Sequence, residues 1–230
     1  MSWLPFSAAL AAFVGSHYLP AVTGLREAAI GRVGRRGYFT AYGLLSLALL
    51  AWLIAAAGSA PYVPLWPAEP WLRWVPNLAM PVALVLASCG LGMPQPFTLG
   101  GRRAARVNPA DPGLAAVTRH PLLLALGLWS GSHLLANGDL AHVILFGGFF
   151  AMALVAVGAS DRRAARQLPA GEAARFFAAT ALLSARPFAD PDWRRRTLPR
   201  LAVRAGIGLL LWIAALHLHE AVIGLSPFPL

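Results

Sequence analysis

Six apolar runs, separated by arginine-bearing connections, constrain this chain more than any other feature. A hydrocarbon core of about 30 Å takes roughly 20 residues of helix to cross. The runs are Leu4 to Leu25, Tyr38 to Gly58, Trp71 to Met93, Pro121 to Ala136, Leu140 to Ala159 and Leu201 to Ile223. The fourth is short, and Ala115 to Thr118 can extend it across the interface. In lipid each backbone N–H and C=O must find its partner inside the segment, and no strand-type alternation competes, so the runs read as helices. The expected fold class is therefore all-α: a polytopic transmembrane helical bundle of about six helices. The length suits one domain, residues 1–230.

Charge fixes how such a bundle would sit. Only 12% of the residues are charged and 58% are apolar, against about 25% charged in a soluble domain. The net charge of +10 comes from arginine alone, since the chain has no lysine. A basic chain first suggests nucleic acid, but the arginines are placed otherwise. Arg26, Arg32, Arg35 and Arg36 follow the first run; Arg102, Arg103, Arg106 and Arg119 fill the connection before the fourth. Ten more, from Arg162 to Arg204, lie between the fifth and sixth or just inside the sixth, and only Arg73 falls on the opposite side. Such one-sidedness marks cytoplasmic loops. The expected partner is thus the lipid bilayer, not nucleic acid, with both termini outside the cytoplasm. No basic residue precedes Arg26, so a retained first helix is expected rather than a signal peptide. A single cysteine, Cys89, excludes an internal disulfide or a cysteine-cluster metal site.

The connections differ in character. Pro94, Pro96, Gly100, Gly101, Pro109, Pro112 and Gly113 predict an irregular second cytoplasmic loop. Residues 167–188 mix apolar side chains with Arg175 and Arg186, the pattern of an interfacial helix lying along the inner leaflet. Asn137-Gly138-Asp139 reads as a tight turn, with Asp139 capping the fifth helix, so the fourth and fifth runs form an antiparallel hairpin. Trp52, Trp66, Trp71 and Trp74 read as an aromatic belt.

Ionisable groups inside apolar runs carry the candidate chemistry. Of six histidines, His17 lies within the first run, His133 within the fourth, and His120 at the fourth's cytoplasmic entrance. His120 and His133 are separated by about 20 Å along a helix and by roughly 140° in facing. They cannot hold one small ligand together. His133 shares a face with Trp129 and Ser130, beside Gly127 and Gly131. That glycine pair admits another helix, or a flat cofactor, close to the backbone. A hydrogen bond across the bundle accounts for either buried histidine. Two buried histidines on different helices also match the axial ligands of a b-type haem, because a low-dielectric site keeps imidazole neutral and able to ligate. With straight helices His17 would lie closer to the cytoplasm than His133 by about 10 Å, and tilt of about 20° narrows the gap.

Arg119-His120-Pro121 opens the fourth run. Arg119 can snorkel to lipid phosphates, with Pro121 in the first helical turn where its missing N–H is harmless. Alternatively Arg119 and His120 form an anion site at a helix N-terminus. Asp139, His142, His217 and Glu220 lie toward the outer surface as solvated polar groups or, less simply, a metal site. No Ser-His-Asp pattern, phosphate-binding loop or zinc motif is present in the sequence.

Phe13-Val14-Gly15-Ser16-His17, Leu25-Arg26, Gly37-Tyr38 and the stretch from Arg119-His120-Pro121 to Asp139 together resemble the NnrU family of bacterial membrane proteins. The resemblance covers nearly all of the first 165 residues. It implies a bacterial inner (cytoplasmic) membrane protein, with periplasmic termini, that serves denitrification alongside nitrite and nitric oxide reductase components. The plant zeta-carotene cis-trans isomerase is similar to this family and is a haem b protein, which implies that His17 and His133 match axial ligand positions to haem iron. That enzyme carries a cysteine as alternate ligand three residues before its second histidine, and Ser130 stands there in this chain. Arg-His-Pro is also similar to membrane methyltransferases that hold S-adenosylmethionine with a downstream acidic pair. The comparable place here reads Ser160-Asp161-Arg162-Arg163, with one acid.

The expected function is that of a haem b-binding redox or assembly component of nitrite and nitric oxide metabolism, with His17 and His133 as ligands. The alternative is a haem-dependent isomerase of a polyene. A methyltransferase-like protein, or a structural partner without cofactor, stands third. Arg119 and His120 are the candidate anion site.

Overall fold

The computed structural model describes residues 2–67, 69–102 and 105–228; Arg103, counted above among the loop arginines, lies outside them. The described residues form seven α-helices and no strands. They are α1 (Leu4–Val22), α2 (Leu25–Gly58), α3 (Trp74–Gly90), α4 (Pro121–Ala136), α5 (Leu140–Gln167), α6 (Ala170–Ala179) and α7 (Pro191–Ile223). Each predicted run lies on a helix, and α4 has the predicted bounds.

Among the described residues, four segments are long and apolar enough to cross a bilayer: Leu25–Gly58, Pro70–Gly90, Leu140–Gln167 and Pro191–Ile223. Large apolar side chains on them, such as Leu44, Leu78, Val155 and Leu210, stand exposed. Hydrocarbon is the solvent that suits such surface. At 16 residues, α4 spans about 24 Å, short of a full core.

Three helices run further into arginine-bearing sequence than hydropathy predicts. α2 begins at Leu25, so Arg26 to Arg36 lie along a helix rather than in a connection; a break at Gly34 (φ 73°, ψ 162°) divides this stretch, leaving Arg35 and Arg36 with the apolar remainder. Alanine, arginine and glutamate are good helix formers outside lipid as well as inside it. α5 continues through Arg162, Arg163 and Arg166. α7 starts ten residues before the apolar run, where Asp190 accepts from the Asp192 backbone N–H at 2.8 Å and Pro191 occupies the first turn. Within 167–188 the chain forms one α-helix, α6, shorter than the whole segment.

The described residues group into two compact units: Met1–Pro67 with Asn137–Leu145, and Ala68–Ala136 with Phe146–Leu230. In the first, α1 packs on α2. The Asn137-Gly138-Asp139 turn pairs there with the segment before it in space: Leu65 N–H donates to Gly138 O at 2.6 Å and Leu140 N–H to Val63 O at 2.9 Å. Asp139 caps α5 as predicted, its Oδ1 accepting from His142 N–H at 3.3 Å. In the second unit, α3 is central and packs on both α4 and α7. Between α3 and α4 the chain is irregular, as its prolines and glycines predict.

Candidate functional site

The second unit converges where α4 begins. Gly90, last residue of α3, lets that happen: a Cβ there would lie 2.3 Å from Pro121 Cγ and 2.7 Å from Leu122 Cδ1. Only a hydrogen fits between the two helices at that crossing. Pro121 therefore seats directly on the α3 backbone, and the three residues before it are fixed. Thr118 and His120 have no solvent-accessible surface.

Backbone bonds hold the same strand of chain from the other side. Arg119 N–H donates to Ala181 O at 2.7 Å, Ala181 N–H to Ala115 O at 3.0 Å, and Ser184 N–H to Val117 O at 2.9 Å. This satisfies the polar backbone of a buried, non-helical stretch. The segment after α6 is thus a clasp on the Arg-His-Pro entrance.

Asp161, in the last turns of α5, supplies the opposite charge. Arg119 donates from Nε to Oδ1 at 2.8 Å and from Nη2 to Oδ2 at 2.6 Å. This is the two-pronged geometry that makes arginine–carboxylate pairs strong. His120 Nε2 lies 2.9 Å from the same Oδ1. A carboxylate only accepts, so Nε2 carries the proton, and Nδ1 is left to accept the Thr98 hydroxyl at 3.1 Å. Burial pushes the His120 pKa below the ordinary imidazole value, against the upward pull of Asp161; Arg119 and Arg163 add to the depression. His120 is accordingly neutral, with both nitrogens engaged.

The anion opposite Arg119 and His120 is therefore the chain's own carboxylate. Thr98, His120 and Asp161 are linked as hydroxyl, imidazole and acid, a relay no sequence motif announced. Its members are nearly withdrawn from solvent, and Arg119 holds the second carboxylate oxygen, so the arrangement orients helices. The Phe177 ring stacks under the Arg119 guanidinium at 5.3 Å, a cation–π contact that covers the clamp. Asp161 is the residue that sequence reasoning set aside, as one acid where a pair was sought. Its signal was being the lone acid of the arginine-rich end of α5.

His133, inside the second unit, donates from Nδ1 to Trp129 O at 2.8 Å. Its ring lies among aromatics, 5.2 Å from Phe146 and 5.9 Å from Trp129, and Trp129 meets Phe149 at 5.4 Å. The Gly127 and Gly131 face receives a helix: a Cβ on Gly131 would lie 3.1 Å from the Phe150 ring, and one on Gly127 would lie 3.9 Å from Ala153 Cβ. Ser130 is buried, and its hydroxyl donates back to Leu126 O at 2.6 Å.

His17, inside the first unit, repeats the local pattern. Nδ1 donates to Phe13 O at 2.8 Å, and the ring packs 4.4 Å from Phe13 and 5.5 Å from Tyr42. A carbonyl only accepts, so in both residues Nδ1 carries a proton. His217 makes the same bond to Ile213 O at 2.8 Å, yet it is exposed. Helix geometry sets the tautomer; the aromatic surroundings are what set His17 and His133 apart. In the first unit Asp139 Oδ2 accepts from His142 Nδ1 at 2.7 Å, and in the second His219 Nδ1 donates to Leu225 O at 2.8 Å. Among the described residues, no three His, Cys, Asp or Glu converge as metal ligands.

Apolar helices of bilayer length, knotted at one end by a partly buried ion pair, define an integral membrane protein. The chain belongs to the NnrU family, whose model, described as NnrU protein, matches residues 5–227. The match runs past the first 165 residues that the resemblance covers and takes in the whole of α7. No curated protein and no solved structure matches the chain.

Proposed function

We propose that this NnrU-family membrane protein binds haem b and serves nitrite and nitric oxide metabolism as a redox or assembly component beside the reductases. The observation that carries the reading is the state of two intrahelical imidazoles. His17 and His133 each carry a proton on Nδ1, fixed by a bond to a backbone carbonyl, and each sits among aromatic rings. That second bond is the one by which proteins orient and strengthen a histidine ligand. Each donor, within its own unit, fits an axial haem ligand. A bound haem would supply one-electron chemistry. The residues supply the rest: Phe13 and Trp129 carbonyls hold the rings, while Tyr42 and Phe146 exclude water.

The arginine bias supports an inner-membrane protein with periplasmic termini. Ser130 gives its hydroxyl to the helix backbone and is a poor iron ligand, which separates this reading from an isomerase with a cysteine switch.

Protein purified in detergent from haem-replete cells should show a Soret band and a pyridine haemochrome of the b type. His17→Ala and His133→Ala should each abolish or shift the band, and His217→Ala should leave it. A colourless preparation would overturn the reading.

A further inference from the structure

The second unit contains, on its arginine-rich side, a cavity of about 630 Å³ that none of the groups above occupies. The volume falls within the roughly 300–1,000 Å³ of small-molecule sites. Its lining is of two kinds. Phe97, Phe176 and Leu168 form apolar wall, with the two rings meeting edge to face at 6.1 Å. Arg106, Arg163 and Arg175 bring three guanidinium groups. Glu172 is the one acid in the lining, and it pairs with Arg106 at 3.6 Å. Arg163 and Arg175 have no ion-pair partner among the described residues.

Two uncompensated cations in one concave site repel each other, and the low-dielectric wall beside them focuses their field. An anion with several oxygens relieves that repulsion, and guanidinium matches phosphoryl oxygens in pairs. The aromatic wall asks for an apolar portion next to the anion. α6, which contributes Glu172, Arg175 and Phe176, has the amphipathic character of a helix lying in the bilayer interface.

We propose that this cavity binds a phosphoryl group carried on an apolar moiety, with Arg163 and Arg175 on the phosphate and Phe97 and Phe176 against the apolar part. The phosphoryl group comes either from an anionic phospholipid headgroup or from a free phosphate compound of the cytoplasm. The site uses neither His17 nor His133, so it stands whether or not the chain holds haem.

The test is calorimetric titration of the full chain in a non-ionic detergent. The probes are dioctanoyl phosphatidic acid, dioctanoyl phosphatidylcholine and inorganic phosphate. Phosphatidic acid should bind, and the Arg163→Gln/Arg175→Gln double variant should weaken it at least tenfold. The charge-matched Arg194→Gln/Arg195→Gln variant should bind as the parent does. Phosphatidic acid binding with no uptake of inorganic phosphate assigns the lipid source; inorganic phosphate binding within tenfold of it assigns the free one. Binding by no probe overturns the proposal, and so does equal weakening in both double variants. Should the Arg163/Arg175 variant not fold, phenylglyoxal labelling of the parent decides. Phosphatidic acid or phosphate should then protect Arg163 and Arg175 but leave Arg194 and Arg195 reactive, and uniform labelling would overturn the site.

Discussion

Arg119 and Asp161 meet through two parallel hydrogen bonds, Nε to Oδ1 at 2.8 Å and Nη2 to Oδ2 at 2.6 Å, with Arg119 mostly and Asp161 largely enclosed. The pair joins the residue two before the start of α4 to the C-terminal part of α5. Neither helix is held there by hydrophobic contact alone, because in lipid apolar burial contributes little between helices and polar contacts count for more. His120 adds a third bond to the same carboxylate.

Removing the charge should therefore loosen the junction. Asp161→Asn keeps the shape but turns an NH₂ toward Arg119 or His120, both of which donate. Breaking one partner of a buried pair costs about 3–5 kcal/mol. Because about a quarter of the Asp161 side chain remains accessible, the lower end, about 3 kcal/mol, is expected. Thermal unfolding in detergent measures this, and Arg119→Lys, which keeps the charge but loses the fork, should fall between variant and parent. An Asp161→Asn protein as stable as the parent would show that the pair is idle.

Stability should also fall in mild acid because of His120. Its pKa is held below the ordinary value, chiefly by burial, so between the folded value and about 6.5 the unfolded chain binds the extra proton. The His120 contribution is complete above about pH 6.5 and is lost as pH drops below it, with a slope of at most about 1.4 kcal/mol per unit for one group. Denaturation midpoints taken from pH 8 to pH 5 should bend downward in the parent. His120→Asn should flatten that bend while lowering stability throughout.

Gly90→Ala tests the seat of the helix. The added methyl would fall 2.3 Å from Pro121 Cγ, and a proline ring cannot swing aside as a flexible side chain would. Overpacking of a filled interior costs about 1–3 kcal/mol; the upper end is expected. Combined with Asp161→Asn, the two losses should be less than additive, since both disconnect the start of α4. Strict additivity would mean that Gly90 and the clamp act on separate parts of the fold.

How much of this was open to the sequence depends on the range of each interaction. α4 and the Asp139 cap were legible because they rest on local signals, an apolar run and a capping side chain within three residues. The starts of α2 and α7 were not, since hydropathy reports only where a helix meets lipid, and helices continue outside it. Arg119, His120 and Pro121 were singled out from their spacing at a helix entrance. Their purpose stayed open because the deciding partners lie far along the chain: Thr98 before them, Asp161 and Ala181 after. The glycine pair in α4 was marked as a place of close approach, and only the folded chain shows that Phe150 makes it.

Thr98 offers the narrowest test of the relay. Its hydroxyl is the group that satisfies His120 Nδ1, at 3.1 Å and in a buried place. Thr98→Val keeps volume and β-branching, and it leaves that nitrogen without the donor. An unsatisfied buried acceptor costs about 1–3 kcal/mol, whereas Thr98→Ser retains the donor and should lose less than half as much. The two variants also differ in sign at His120. With valine, Nδ1 can no longer accept, so the neutral tautomer loses support and the imidazole becomes easier to protonate. The acid-side loss of stability, which begins near the unfolded value in both, should then end at a higher pH and be smaller in Thr98→Val than in Thr98→Ser. Equal bends in the two would show that the hydroxyl does not set the protonation of His120.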